Sequence, residues 1–142
     1  MNAKKYLKQA FFLNEEVNDS LLELERLRTI ACSIVAVDTE RDKIQSGKVS
    51  DIIGDSVPAI VDFEAEINSK IEECRAKKRE IESRIKEIDD CKVQSVLLKR
   101  YIYFHEWDDI ADDLKFTIGR IYQLHKTGLE EMQKIIVNYS KL

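Results

Sequence analysis

The sequence predicts an all-α protein in which a long antiparallel helical hairpin, acting as a coiled-coil arm, precedes a small head of short helices. Two observations support this fold class. Apolar residues recur every three or four positions over most of the chain, which is the period of an α-helix. The chain also has only one proline and four glycines, and 35% of its residues are charged. Few positions therefore interrupt a helix, and the polar faces are well solvated.

The first long helix is predicted to span residues 3–37, a length of about 50 Å. Its apolar face is broader than the seam of a two-stranded coiled coil, so we expect it to contact more than one neighbour. Asn14 falls on this face, and we interpret it as a tolerated polar residue rather than a determinant of register. The main apolar positions are Leu7, Ala10, Phe11, Val17, Leu21, Leu24, Leu27, Ala31 and Ile34.

The connection between the two long helices is predicted to span about residues 38–56, which are rich in glycine, serine and aspartate. Its apolar pair, Ile52 and Ile53, is compatible with one helical turn packed on the bundle. The stretch lacks the glycine and lysine signature of a phosphate-binding loop. We expect the second long helix to begin at Ser56 or Val57, because Pro58 is tolerated in a first helical turn.

The second long helix carries a heptad seam with one lysine in it. Acidic and basic residues alternate on its other faces, which favours a solvated flank over a nucleic-acid-binding segment. Two such helices should pack as an antiparallel hairpin. The remaining apolar surface predicts a homo-oligomer, with a dimer through a four-helix bundle favoured. The seam positions are Ile67, Ile71, Cys74, Lys78, Ile81, Ile85 and Ile88.

A weak break at residues 89–91 separates the arm, residues 1–91, from the head, residues 92–142. The head is predicted to begin with a helix over about residues 92–104. A short helix from Trp107 to Leu114 follows, and Thr117 then stands at the N-cap position of a longer helix. A short helix, a tight turn and a longer helix form the helix-turn-helix pattern. Because three short helices make a small core, we expect the second long helix to brace them.

The head carries a family resemblance. Residues 110–132 have the sequence IADDLKFTIGRIYQLHKTGLEEM. This stretch resembles the DNA-reading part of bacterial sigma factors, region four of the sigma-70 type. The longer run KRYIYFHEWDDIADDLKFTIGRIYQLHKTGLEEM is similar to small phage-encoded regulators of the ArpU and RinA kind and their uncharacterised relatives. The resemblance covers about the last third of the chain and implies double-stranded DNA as a partner, with RNA polymerase as a possible second partner.

The predicted DNA-binding residues lie in the first turns of the last helix. Gln123 can bond bidentately to adenine, and Arg120 to guanine or phosphate. The resemblance aligns four of these positions with base-reading residues of sigma factors, and only Gln123 keeps the family's residue type. A standard promoter element is therefore not the expected target. Lys115 stands where the family has glycine, at a cost of about 1 kcal/mol if the backbone is left-handed. The predicted residues are Thr117, Ile118, Gly119, Arg120, Tyr122, Gln123 and Lys126.

The charge is unevenly distributed along the chain. The formal net charge is −4, whereas the part from Lys115 onward has five basic and two acidic residues, a balance of +3. Phosphate neutralisation supplies most non-specific affinity for DNA. We therefore expect an isolated monomer to bind DNA weakly, and dimerisation or docking on RNA polymerase to compensate.

Other chemistry is not indicated by the sequence. Cys32, Cys74 and Cys91 are far apart without a paired motif, which favours reduced thiols that behave as small buried apolar groups. The histidines, His105 and His125, have no cysteine or histidine at zinc-ligand spacing. We expect no catalytic site, no metal and no cofactor. We also expect no signal peptide or membrane span, and a cytoplasmic location.

The sequence thus predicts a DNA-binding transcriptional regulator of phage or prophage genes, not an enzyme. Two alternatives remain open. A phage DNA-packaging protein of the terminase small-subunit kind would also combine a helix-turn-helix with a helical oligomerisation arm, and would assemble into large rings. A coiled-coil interaction protein that does not bind DNA would use its heptads and bind protein through the head. The DNA target and the direction of regulation are left undetermined.

Overall fold

A computed structural model of the chain describes residues 2–40 and 46–141, and the side chains of residues 2–33 and 58–141. Every regular element within these ranges is an α-helix, so the predicted all-α class is confirmed. None of the described helices is both long enough and apolar enough to cross a membrane. The helices are α1 (Ala3–Leu7), α2 (Gln9–Glu40), α3 (Ser46–Ile85), α4 (Cys91–Tyr101), α5 (Trp107–Leu114) and α6 (Ile118–Ser140).

The N-terminal helix differs from the prediction by an interruption at Lys8, which separates α1 from α2. The backbone N–H of Lys8 donates to the carbonyl of Lys4, and the N–H of Phe12 donates to the carbonyl of Lys8, each at 3.1 Å. Both bonds have the spacing of an α-helix. The interruption is therefore local, and α2 continues to Glu40, beyond the predicted end at residue 37.

The predicted start of the second long helix at Ser56 or Val57 is wrong. Helix α3 begins at Ser46, so Pro58 lies inside it rather than in its first turn. Val49, Ile52, Ile53 and Val57 follow helical spacing, and this pattern outweighs the glycines and serines between them. Most of the predicted connection is therefore helical, and its residues 41–45 lie outside the described residues.

The described residues divide into two compact units, and Glu15–Glu72 form one of them. Lys70 Nζ lies 3.4 Å from Ser20 Oγ, and Arg28 pairs with Glu64. Ser20 precedes Arg28 on α2, whereas its partner Lys70 follows Glu64 on α3. The two segments are therefore antiparallel, as predicted. Val17, Leu24 and Ile67 are buried in this unit, whereas Leu21, Leu22, Ile30 and Val61 are exposed.

The other unit joins Met1–Asn14 to Glu73–Leu142. The sequence-based boundary at residue 91 does not coincide with this division, because the end of α3 and the first turns of the chain share one core with the three C-terminal helices. This finding agrees with the expectation that the second long helix braces the head. The core contains Ala3, Tyr6, Leu7, Ala10, Ile81, Ile85, Ile88, Val93, Val96, Leu97, Tyr101, Ile110, Ile121, Leu124, Met132 and Ile136.

The predicted heptad seam is mostly buried, and only Ile71 and Lys78 within it are half-buried. Lys78 Nζ lies 4.9 Å from the centre of the Phe104 ring. The prediction for the cysteines holds only for Cys74, which is buried with Sγ 3.9 Å from the carbonyl oxygen of Ala10. Cys32 and Cys91 are exposed, because each falls on a solvent-facing position of its helix.

Candidate nucleic-acid interface

Helix α4 supports the two helices that follow it. Asp90 caps its N-terminus, where the carboxylate accepts a hydrogen bond from the Lys92 N–H at 2.9 Å. The helix ends at Tyr101, before the predicted end at Phe104, whose φ is +58°. Arg100 holds the chain after the helix by donating from Nη1 to the carbonyl of His105 at 3.1 Å.

The turn between α5 and α6 is short, and it is defined by the backbone conformation of Lys115 and by the N-cap of α6. Lys115 has φ 58° and ψ 40°, the left-handed conformation considered for this position in the sequence analysis. The N–H of Phe116 then donates to the carbonyl of Ala111 at 3.1 Å. Thr117 begins the next helix as predicted, since its Oγ1 accepts a hydrogen bond from the Arg120 N–H at 3.2 Å.

The buried face of α6 packs closely on α4. A Cβ atom added to Gly128 would lie 2.9 Å from Leu97 Cδ1 and 3.0 Å from two other atoms of the same side chain. Leu97 is itself fully buried, so a side chain at position 128 would force it to move. Glycine is therefore required here by the close approach of two helices. The buried positions of α6 are Ile121, Leu124, Gly128, Met132 and Ile136.

An aromatic cluster joins α5 to α6, and sequence reasoning did not identify it. The Trp107 ring makes edge contacts with the rings of Tyr122 and His125, at 5.4 Å and 4.7 Å between centroids. The Arg100 guanidinium lies 4.4 Å from the centroid of the same ring. The only available signal was the set of aromatic residues at helical spacing, which does not reveal contacts between helices.

His125 packs within this cluster. Its Nε2 lies 2.6 Å from Tyr101 Oη. Burial, with smaller effects from Lys4 and Arg100, lowers the pKa of His125 to about 4. Burial also raises the pKa of Tyr101 to about 12. Both groups are therefore neutral near pH 7, and His125 adds no positive charge to the surface of α6.

All seven predicted DNA-binding residues are exposed. Ile118 retains 38% of its possible exposure and Tyr122 retains 50%. A Cβ atom added to Gly119 would meet no other atom within 4 Å. The seven residues belong to the cap and first turns of α6, and six of them lie on the helix away from Ile121 and Leu124. We call this surface the α6 face: Thr117, Ile118, Gly119, Arg120, Tyr122, Gln123 and Lys126.

The charges around the α6 face differ sharply from those of α5. The sequence between Lys115 and Leu129 contains Lys115, Arg120 and Lys126 and no carboxylate. By contrast, the exposed side of α5 carries four aspartates. Among these, Asp113 Oδ2 lies 3.7 Å from Lys99 Nζ and 3.8 Å from His105 Nδ1. The four are Asp108, Asp109, Asp112 and Asp113.

The α6 face contributes neither to the pocket described below nor to a metal site. Within the described ranges, no three His, Cys, Asp or Glu side chains are arranged to hold a metal ion. A pocket of about 240 Å³ opens between the first turns of the chain and the end of α4, and it contains no residue of the α6 face. Its lining is Lys8, Phe11, Phe12, Arg100, Tyr101, Phe104 and Glu106.

Comparison with known proteins identifies a family for this chain. No curated protein and no solved structure matches the chain. A family described as a protein of unknown function, DUF1492, matches residues 34–133. This range includes α4, α5 and the α6 face. The chain therefore belongs to the DUF1492 family.

Proposed function

We propose that α5, residues 115–117 and α6 form a helix-turn-helix that binds double-stranded DNA, with the α6 face in the major groove. The chain would then act as a transcriptional regulator, and the resemblance of its head points to phage or prophage genes. The observation that supports this proposal most is the α6 face itself. It presents cations, an amide and apolar side chains in the first turns of a helix that is held rigidly from behind.

The geometry behind the α6 face favours recognition because it leaves little freedom to the helix. Thr117 caps the helix, Gly128 allows close packing on α4, and Trp107 contacts the Tyr122 ring. Side chains that are positioned before binding lose less conformational entropy when they bind. A rigid α6 can therefore present Gln123 to base edges at a fixed distance.

The aspartates of α5 restrict how DNA can approach. In helix-turn-helix proteins the first helix crosses the phosphate backbone. Here Asp108, Asp109 and Asp112 are exposed on that helix, and they repel phosphates. We infer that phosphate contacts come from Lys115, Arg120 and Lys126 rather than from α5. So few cations give weak binding per head, which favours a dimer or a second contact with RNA polymerase.

The unit Glu15–Glu72 offers a surface for such a dimer. Leu21, Leu22, Ile30 and Val61 are exposed there, and apolar side chains of this size favour burial against a partner. We propose a homodimer through this unit. Sedimentation of the full chain tests the proposal: a dimer agrees with a regulator, whereas a large ring favours the DNA-packaging alternative.

The DNA-binding proposal can be tested by measuring binding of the chain to a random-sequence duplex. Fluorescence anisotropy reports the affinity at several salt concentrations. We expect binding at low salt that weakens steeply as salt rises, because counterions are released from phosphates. Lys126→Ala should weaken binding to all sequences and reduce the salt slope by about one. Lys134→Ala is the matched control, since Lys134 is an exposed lysine of the same helix outside the α6 face.

Two results would contradict the proposal. Absence of binding by the wild-type chain at low salt favours the interaction-protein alternative. Equal decreases in affinity for Lys126→Ala and Lys134→Ala would show that binding is diffuse and does not involve the α6 face.

A further inference from the structure

Gly119 belongs to the α6 face, and no contact or backbone conformation within the protein requires glycine at this position. Its φ is not positive, and an added Cβ would meet no atom within 4 Å. Alanine is a better helix former than glycine. Gly128 on the same helix is explained by Leu97, but Gly119 has no such neighbour. A surface glycine of this kind fits a place where a ligand approaches the backbone closely.

The side chains around Gly119 have a consistent chemistry. Ile118 and Tyr122 are four residues apart, as are Gly119 and Gln123, so the four form two adjacent rows on the helix. Ile118 offers only apolar surface, and the Tyr122 ring is held in place by Trp107. Gln123 offers an amide. None of the four carries a charge.

These side chains match the major-groove edge of an A·T base pair better than that of a G·C base pair. In the major groove, thymine presents a C5 methyl group to apolar side chains, and adenine presents N6 and N7 to an amide. Guanine is recognised most often by arginine or lysine. In these two rows such a cation is missing, and Arg120 lies beside them, where it can contact phosphate.

We infer that the α6 face recognises A·T base pairs in the major groove. Ile118 and Tyr122 contact thymine methyl groups, Gln123 bonds to an adenine edge, and Gly119 allows the helix to approach the bases. This inference rests on the proposed function and specifies its ligand. The segment from Lys115 to Leu129 contains three cations and no carboxylate, and it supplies the matching charge for duplex DNA.

The test uses the best duplex that the wild-type chain recovers from a random pool, resynthesised with deoxyuridine in place of thymidine. This exchange removes only the methyl groups. We expect affinity to fall about fourfold for each thymine methyl group that the protein touches. Ile118→Ala should bind the thymidine duplex more weakly and show a smaller difference between the two duplexes. Val137→Ala, which alters an exposed apolar residue of the same helix outside the α6 face, should keep the full difference.

Gly119→Ala gives a second readout. We expect it to weaken binding to the thymidine duplex without lowering the midpoint of thermal unfolding, since the added methyl group meets nothing within the protein. Equal affinities of the wild-type chain for the two duplexes, or recovery of a motif without A·T pairs, would overturn this inference and leave DNA binding intact. Failure to recover any duplex would overturn the proposed function, and this inference with it.

Discussion

Lys115 shows how a single residue sets the geometry of the α6 face. Its left-handed backbone, with φ 58°, turns the chain from α5 into α6 within residues 115–117. The side chain is exposed, so no packing of its own offsets the strain. The pattern of apolar residues predicted a break at this position, and the resemblance to sigma factors implied its left-handed backbone.

Replacing Lys115 with glycine should therefore stabilise the protein. We expect Lys115→Gly to raise the free energy of unfolding by about 0.5–1 kcal/mol, because glycine adopts positive φ without steric cost. Urea unfolding followed by circular dichroism measures the change. Lys115→Ala is the control and should change stability little, since alanine keeps the strained Cβ. A decrease in the stability of Lys115→Gly would contradict the role given to this backbone conformation.

His125 makes the stability of the fold depend on pH. Its pKa is lowered from 6.5 to about 4, chiefly by burial. Between these values the unfolded chain binds more protons at this site than the folded chain, so its contribution lowers stability as pH falls from 6.5 towards 4. Above pH 6.5 His125 is neutral in both states and contributes no pH dependence.

Unfolding at pH 7.0 and pH 4.5 tests this prediction with the wild-type chain and His125→Phe. The aromatic replacement keeps the ring contacts but cannot be protonated. We expect the stability of the wild-type chain to fall more between the two pH values than that of the variant. The difference between the two proteins is the readout, because carboxylates titrate in both. Equal decreases would mean that His125 is not held neutral by the fold.

At the scale of elements, the two glycines of α6 have different surroundings. Gly128 packs against α4, whereas Gly119 lies on the exposed face of the helix. Gly128→Ala should destabilise the protein by about 1–3 kcal/mol, because the new methyl group overlaps the buried Leu97 side chain. Gly119→Ala should leave stability unchanged or raise it by up to about 1 kcal/mol, because alanine is the better helix former. Thermal unfolding of both variants provides an internal comparison. Similar effects at the two positions would contradict the packing described for α6.

The elements also show where sequence reasoning succeeds and where it fails. The sequence pattern was sufficient to predict the bounds of α5, the start of α6 and the Thr117 cap, because amphipathic helices with clear end signals are defined locally. The start of α3 was mispredicted because glycine, serine and proline were weighed above the spacing of Val49, Ile52, Ile53 and Val57. The Trp107 cluster was missed because contacts between helices depend on how three elements pack.

At the scale of the whole molecule, the unit that carries the α6 face is discontinuous in sequence. Tyr6 and Leu7 are buried together with Ile81 and Ile85 and with the C-terminal helices. Arg84 Nη1 donates to Tyr6 Oη at 2.8 Å, and the Ala3 N–H donates to Gln133 Oε1 at 2.9 Å. Local patterns do not contain such long-range pairings, so the sequence predicted a boundary at residue 91 instead. Residues far away in the sequence therefore help to hold α6 in place.

The central claim is that the α6 face binds DNA with sequence preference. Selection from a random duplex pool at low salt, carried out with the wild-type chain and with Gln123→Ala, tests it most directly. We predict that the wild-type chain enriches a motif, and that Gln123→Ala relaxes the preference at one base pair by about 1–3 kcal/mol. A motif with two half-sites would further support a dimer. Enrichment of no sequence by the wild-type chain, or an unchanged motif in Gln123→Ala, would contradict the claim.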